Sequence, residues 1–82
     1  MSSVTNVRVK LTFPEHLIKQ PVIARMVQIF DVMPNIRRAN VEETFGWMIC
    51  ELGGEQAAVE RAIEWLVDLG VEVDRLGDVV ES

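Results

Sequence analysis

Two hydrophobic periods alternate along this chain. Val7-Arg8-Val9-Lys10-Leu11-Thr12-Phe13 switches between apolar and polar at every step, the period of a strand with one buried face. Pro14 ends it. From Pro21 the spacing lengthens: Val22, Ile23, Met26, Val27, Ile29 and Phe30 recur as on one side of a helix. Pro21 fits the first helical position, where its missing N–H has no partner to lose. Pro34 closes the helix by pushing the residue before it out of helical conformation.

Asn35 to Thr44 is polar and compatible with a strand at the sheet margin, and Gly46 to Leu52 makes a hairpin with it. Gly53-Gly54 closes that run. Glu55 to Leu69 is the clearest helix. Val59, Ala62, Ile63, Leu66 and Leu69 share one face, and Glu60, Arg61, Glu64 and Asp68 the other. Acids at its start suit the positive end of the helix dipole, and Gly70 stands where a left-handed cap residue belongs. Val71 to Leu76 alternates again, and Gly77 to Ser82 reads as a tail.

The order β-α-β-β-α-β predicts an α+β, ferredoxin-like plait: a four-stranded antiparallel sheet with both helices on one face. The first strand then lies between the third and fourth, and the second forms an edge. Val7, Val9, Leu11 and Phe13 face the helices, which sends Arg8, Lys10 and Thr12 to the open side. Glu72 and Asp74 of the last strand share that side, so opposite charges meet across strands. The third strand is ambiguous. One register exposes Trp47, Ile49 and Glu51 on the open side; the other exposes Met48 and Leu52. Either leaves large apolar groups uncovered, which suits a dimer surface or the wall of a ligand pocket.

At 82 residues, 49% hydrophobic and 26% charged, the chain is too apolar for disorder and long enough for one modest core. A single domain over residues 1–82, with its core at about 5–77, is expected. Charged residues interrupt every apolar run before the roughly 20 residues a membrane helix needs, and the first residues lack the pattern of a secretion signal. A cytoplasmic protein without membrane insertion follows. The net charge of −5 argues against nucleic-acid binding, and it is unevenly spread. Residues 1–41 carry six bases against two acids, and residues 42–82 two bases against eleven acids.

Little in the sequence is catalytic. His16, the lone histidine, reads as a surface loop residue, and Cys50, the lone cysteine, as a buried structural thiol. Glu42 and Glu43, adjacent on a strand, point to opposite faces. Gly53-Gly54 could offer amides to an anion, but a strand-to-helix turn explains the pair better. Met26, Met33 and Met48 read as core filler. No metal-ligand spacing is present, and no cofactor is implied. Three features remain. Asn35 carries two donors and an acceptor, enough to hold an amino-acid backbone or, equally, to satisfy a turn. Arg37 and Arg38, one on each face of an edge strand, protect that edge or bind a carboxylate. Trp47 is the third.

The ordered set Leu11-Thr12-Phe13, Pro21-Val22, Asn35-Ile36-Arg37, Phe45-Gly46, Glu51-Leu52 before glycine, Ala62 to Leu66 and Gly70 to Val73 resembles the NIL domain. That ferredoxin-like module lies at the C-terminus of methionine-importer ABC transporter ATPases; related copies stand alone or are fused to iron–sulfur modules. The resemblance implies a domain that pairs with its twin, binds methionine near the pairing surface and holds transport down when methionine is plentiful. Asn35 matches the family asparagine associated with that binding. Arg37 replaces the family leucine, and a charge beside a thioether pocket is costly when desolvated. Cluster cysteines are absent. Without an attached ATPase, any switching is expected to act on a separate protein partner.

Two functional readings result. The first is a non-catalytic regulatory module that binds an amino acid or sulfur metabolite at a homodimer interface, with Asn35, Ile36, Arg37 and Trp47 as ligand-binding residues. The second is a ligand-free interaction module docking on an enzyme or transporter of sulfur-amino-acid metabolism.

Overall fold

The computed structural model describes residues 3–78 of the chain. Its elements are β1 (Val4–Pro14), α1 (Glu15–Ile18), α2 (Val22–Phe30), β2 (Met33–Val41), β3 (Phe45–Glu55), α3 (Gln56–Leu69) and β4 (Glu72–Asp78). The sheet order is β2-β3-β1-β4 with all neighbours antiparallel, which is the ferredoxin-like plait. β1 is the central strand because its alternation is the cleanest: Val7, Val9, Leu11 and Phe13 are all buried. In register with it, Leu52, Cys50 and Met48 of β3 face the same way. The ambiguity of β3 is thereby resolved in favour of Trp47, Ile49 and Glu51 on the open side.

The helices roof the other side. α3 contributes Ala58, Val59, Ala62, Ile63 and Leu66 to the core, and α2 contributes Val22 and Met26. Phe30 meets Trp65 edge to face at 5.8 Å between centroids, which locks the two helices together. Gly70 is left-handed at φ 109°, and its N–H closes the last turn of α3 onto the Leu66 and Val67 carbonyls. Leu69 is more than one-third exposed, past the end of the buried stripe. The first turn of α3 carries no acid, since Glu55 precedes the helix as its cap residue.

Several boundaries differ from the sequence expectation. Pro21 caps α2 from outside, its carbonyl accepting from the Arg25 N–H, so the first helical residue is Val22. α2 ends at Asp31, a left-handed residue at φ 56°. β2 begins at Met33, before Pro34, and stops at Val41, because Glu42 to Thr44 form the hairpin turn. Glu42 and Glu43 are therefore turn residues. Gly53 and Gly54 do not turn the chain; they extend β3 opposite Asn6 and Thr5. Gly54, at φ 151°, lies where an added Cβ would stand 3.6 Å from Val32. The short helix α1 was invisible to periodicity, although it buries Leu17. His16 lies on it and is exposed. The expected tail after Gly77 falls mostly outside the described residues.

Both edge strands carry an irregularity. Pairing of β2 with β3 shifts between Ile36 and Arg38, and pairing of β4 with β1 shifts between Arg8 and Val9. Each bulge leaves one residue without a paired partner, Arg37 in β2 and Leu76 in β4, and reverses the faces expected of the residues beyond it.

Candidate functional site

The open face of the sheet gathers the chemistry. Along β1 it presents Arg8, Lys10 and Thr12, and along β3 Glu51, Ile49 and Trp47, opposite one another in that order. β2 adds Asn35 beside Glu51, Arg38 beside Ile49, and Asn40 beside Trp47. Arg37, two residues on from Asn35, shares this side by alternation, and the bulge returns Arg38 to it. Arg37 and Arg38 were expected on opposite faces; the extra residue turns both toward the open one.

Glu51 is the centre of this face. It is 3% exposed and is the only buried charged residue among those described. Arg8 NH2 donates to Glu51 Oε2 at 2.8 Å, and Arg37 NH2 donates to Oε1 at 3.2 Å. A buried carboxylate needs such partners, since desolvation alone would drive it to protonate. The Arg8 hydrogen bond, then that of Arg37, holds its pKa below the ordinary carboxylate range against the opposing effect of burial. Only one NH2 of each arginine is used on Glu51. Arg8, Arg37, Arg38, Ile49 and Leu76 line a shallow cavity of about 470 Å³ on this face.

Further along, Lys10 Nζ lies 5.5 Å from the centre of the Trp47 ring, within cation–π range. Trp47 and Ile49 are half-buried, so the apolar patch is partly covered by neighbouring charged stems. Lys10 stands opposite Asp74, and Thr12 opposite Glu72. Ion pairs among the described residues run from β1 and β2 to Glu51, and from Arg75 of β4 to Glu60 of α3. The expected pairing of basic β1 with acidic β4 is realised as juxtaposition rather than contact.

The four anticipated ligand residues are distributed unevenly. Asn35 and Arg37 lie together beside Glu51. Ile36, opposite Cys50, occupies the helix side of β2 and is 53% exposed. Trp47 is on the open face but four residues beyond Glu51, roughly 13 Å along the strand. Sequence reasoning missed Glu51 as the organising group. The available signal was an acid inside the apolar run Ile49-Cys50-Glu51-Leu52, since acids in such runs are seldom buried unpaired.

Across the sheet, Cys50 is fully buried. Its thiol pKa is pushed up to about 11, first by burial and then by the neighbouring Glu51 charge, which makes it a poor nucleophile. A second cavity of about 210 Å³ lies on the helix side, walled by Ile18, Val22, Ile23, Val41 and Met48. It is almost wholly apolar. No group of acidic, cysteine or histidine side chains suited to a metal ion occurs among the described residues. No helix among them is long and apolar enough to cross a membrane.

The sequence profile of the NIL domain matches residues 7–75. Methionine import ATP-binding protein MetN 2 of Acinetobacter baylyi is 35% identical over 75 residues, covering 87% of this chain and 22% of that protein. Methionine import ATP-binding protein MetN of Helicobacter pylori strain J99 is 32% identical over 68 residues, covering 78% of this chain and 20% of that protein. The chain thus spans about one-fifth of the length of these relatives. Among solved structures, the C-terminal domain of an ABC transporter ATP-binding protein from Enterococcus faecalis superposes with a TM-score of 0.76 at 31% identity. That match covers 87% of this chain and 83% of the other.

Proposed function

The chain belongs to the NIL domain family, and from that premise we propose that residues 1–82 form one non-catalytic regulatory module that takes a small amino acid or sulfur metabolite where two copies meet. The observation that carries this reading is the state of β2. It is an edge strand, and Met33, Ile36 and Val41 along it are 72%, 53% and 68% exposed. Ile29 of α2 adds a further exposed apolar side chain at 57%. A long edge strand with such side chains invites pairing, and a two-fold twin covers it with the same surface on both sides.

Asn35 lies on this strand and is exposed; its carboxamide offers the donors and acceptor that would grip the amino and carboxylate groups of an amino acid at the seam. Arg37 flanks Asn35 on the open face, and Ile36 lies exposed on the other side of the same edge strand, where a twin would cover it. Regulation then consists of stabilising the paired state: ligand bound at the seam strengthens the association, and the paired module alters what a partner protein can do. The homologues named for methionine import make methionine the first ligand to try and a transporter the first partner. A cytoplasmic location fits both.

The test is thermal melting and sedimentation with L-methionine, homocysteine and other amino acids. Ligand at 100 times its dissociation constant adds about 2.7 kcal/mol of stability. An upward shift that Asn35→Ala abolishes, together with a dimer in sedimentation, supports the reading. A monomer indifferent to every amino acid refutes it.

A further inference from the structure

We infer that the arginine-lined cavity on the open face is a binding site for a small organic polycarboxylate. The inference goes beyond the regulatory reading: it gives the open face a ligand of its own, of a charge class that methionine does not share. Arg8, Arg37 and Arg38 line one cavity together with Ile49 and Leu76. Arg8 and Arg37 are held in place by the buried Glu51, each through one NH2, so their remaining N–H donors are free of that carboxylate. Arg38 makes no ion pair with Glu51 and is exposed.

Among the described side chains, one carboxylate against three guanidiniums leaves the cavity with a surplus of positive charge. Like charges brought together on a folded surface repel, and a bound anion is the simplest relief. Of the other charged groups on this face, Lys10 adds to the surplus, while Asp74 and Glu72 stand beside Lys10 and Thr12, further along β1 from Arg8. The guanidinium fork matches planar carboxylates through paired hydrogen bonds. Ile49 and Leu76 in the lining favour a ligand with a carbon skeleton over inorganic phosphate. The volume, about 470 Å³, lies within the range of about 300–1,000 Å³ common for small-ligand clefts.

The β2 bulge completes the site. Arg37 follows Asn35 onto the open face by alternation, and the register shift after it returns Arg38 to that face, so without the bulge the cavity would lose the Arg38 guanidinium. Glu51 is a positioning residue here: it orients two arginines and leaves the third to the ligand.

The experiment titrates citrate, succinate, phosphate and L-methionine against the full chain by calorimetry and thermal melting, with sodium chloride at matched ionic strength as reference. Citrate should raise the melting temperature beyond the salt reference. Arg38→Gln, which disturbs no Glu51 contact, should fold normally and weaken citrate binding about tenfold, the size expected for losing a charged hydrogen bond. Arg25→Gln, on α2, should leave citrate binding unchanged. The inference is overturned if citrate does no more than salt, if Arg38→Gln binds it as tightly as the native chain, or if phosphate binds more tightly than citrate. A methionine response without a citrate response removes this site and leaves the regulatory reading standing; a citrate response without a methionine response does the reverse for the amino-acid ligand.

Discussion

The two faces of one four-stranded sheet, built from the same strands, hold themselves together by different physics. On the helix side, Val7, Val9, Leu11, Cys50 and Leu52 pack beneath α2 and α3 with no charged group among them. That side is held by removal of apolar surface from water, at about 25 cal/mol per Å². On the open side the one buried group is a carboxylate, and it stays charged because two arginines hold it. Even the tryptophans divide this way: Trp65 meets a phenylalanine ring, Trp47 a lysine ammonium. The helix side is shape-determined and closed. The open side is charge-determined and carries no helix over it.

The sharpest way to break this contrast is truncation on each face. Leu11→Ala, fully buried, should cost about 2–5 kcal/mol in urea unfolding. Ile49→Ala, half-buried on the neighbouring strand, should cost about 1 kcal/mol. Equal losses would mean that the open face is already covered in solution. Gly70→Ala sharpens the helix side alone. An alanine at φ 109° should lower stability by about 1–2 kcal/mol, read from the same urea midpoints.

On the open side the test is acid. The folded pKa of Glu51 is depressed, so its contribution is complete above the unfolded value of about 4.3 and disappears as pH falls through the lower folded value. Stability should therefore decline with acidification across that window, and Glu51→Gln should flatten the decline in pH-dependent urea melts. An unchanged slope would remove Glu51 from the centre of this face. The smallest effect belongs to the pair Arg75–Glu60, which joins β4 to α3 through two guanidinium N–H groups. Both side chains are 45% exposed, and solvent screening limits Arg75→Ala to less than about 1 kcal/mol. A larger loss would mark the helix side as dependent on charge after all.

The fold was legible because its periods are strong. The unbroken alternation of residues 7–13 forces a half-buried strand, the stripe from Val59 to Leu66 forces a helix, and short connections leave one sensible order of strands. Gly70 was readable because few other residues tolerate its conformation. Asn35 and Trp47 were recognised as unusual, and the structure places both on the open face, though not together.

What the sequence by itself determined was the alternation, the helical stripes and hence which residues of β1 and α3 enter the core. Those are local quantities, written in spacing. The tertiary structure alone decided the register of β3, the bulge that brings Arg38 onto the open face beside Arg37, and the meeting of Arg8 with Glu51 across 43 residues of chain. A bulge changes the face of a side chain without changing the composition around it, and an ion pair between strands depends on how distant segments align. Neither leaves a period to read. The physical reason is that burial repeats along the chain, whereas charge pairing is settled only when the strands are laid side by side.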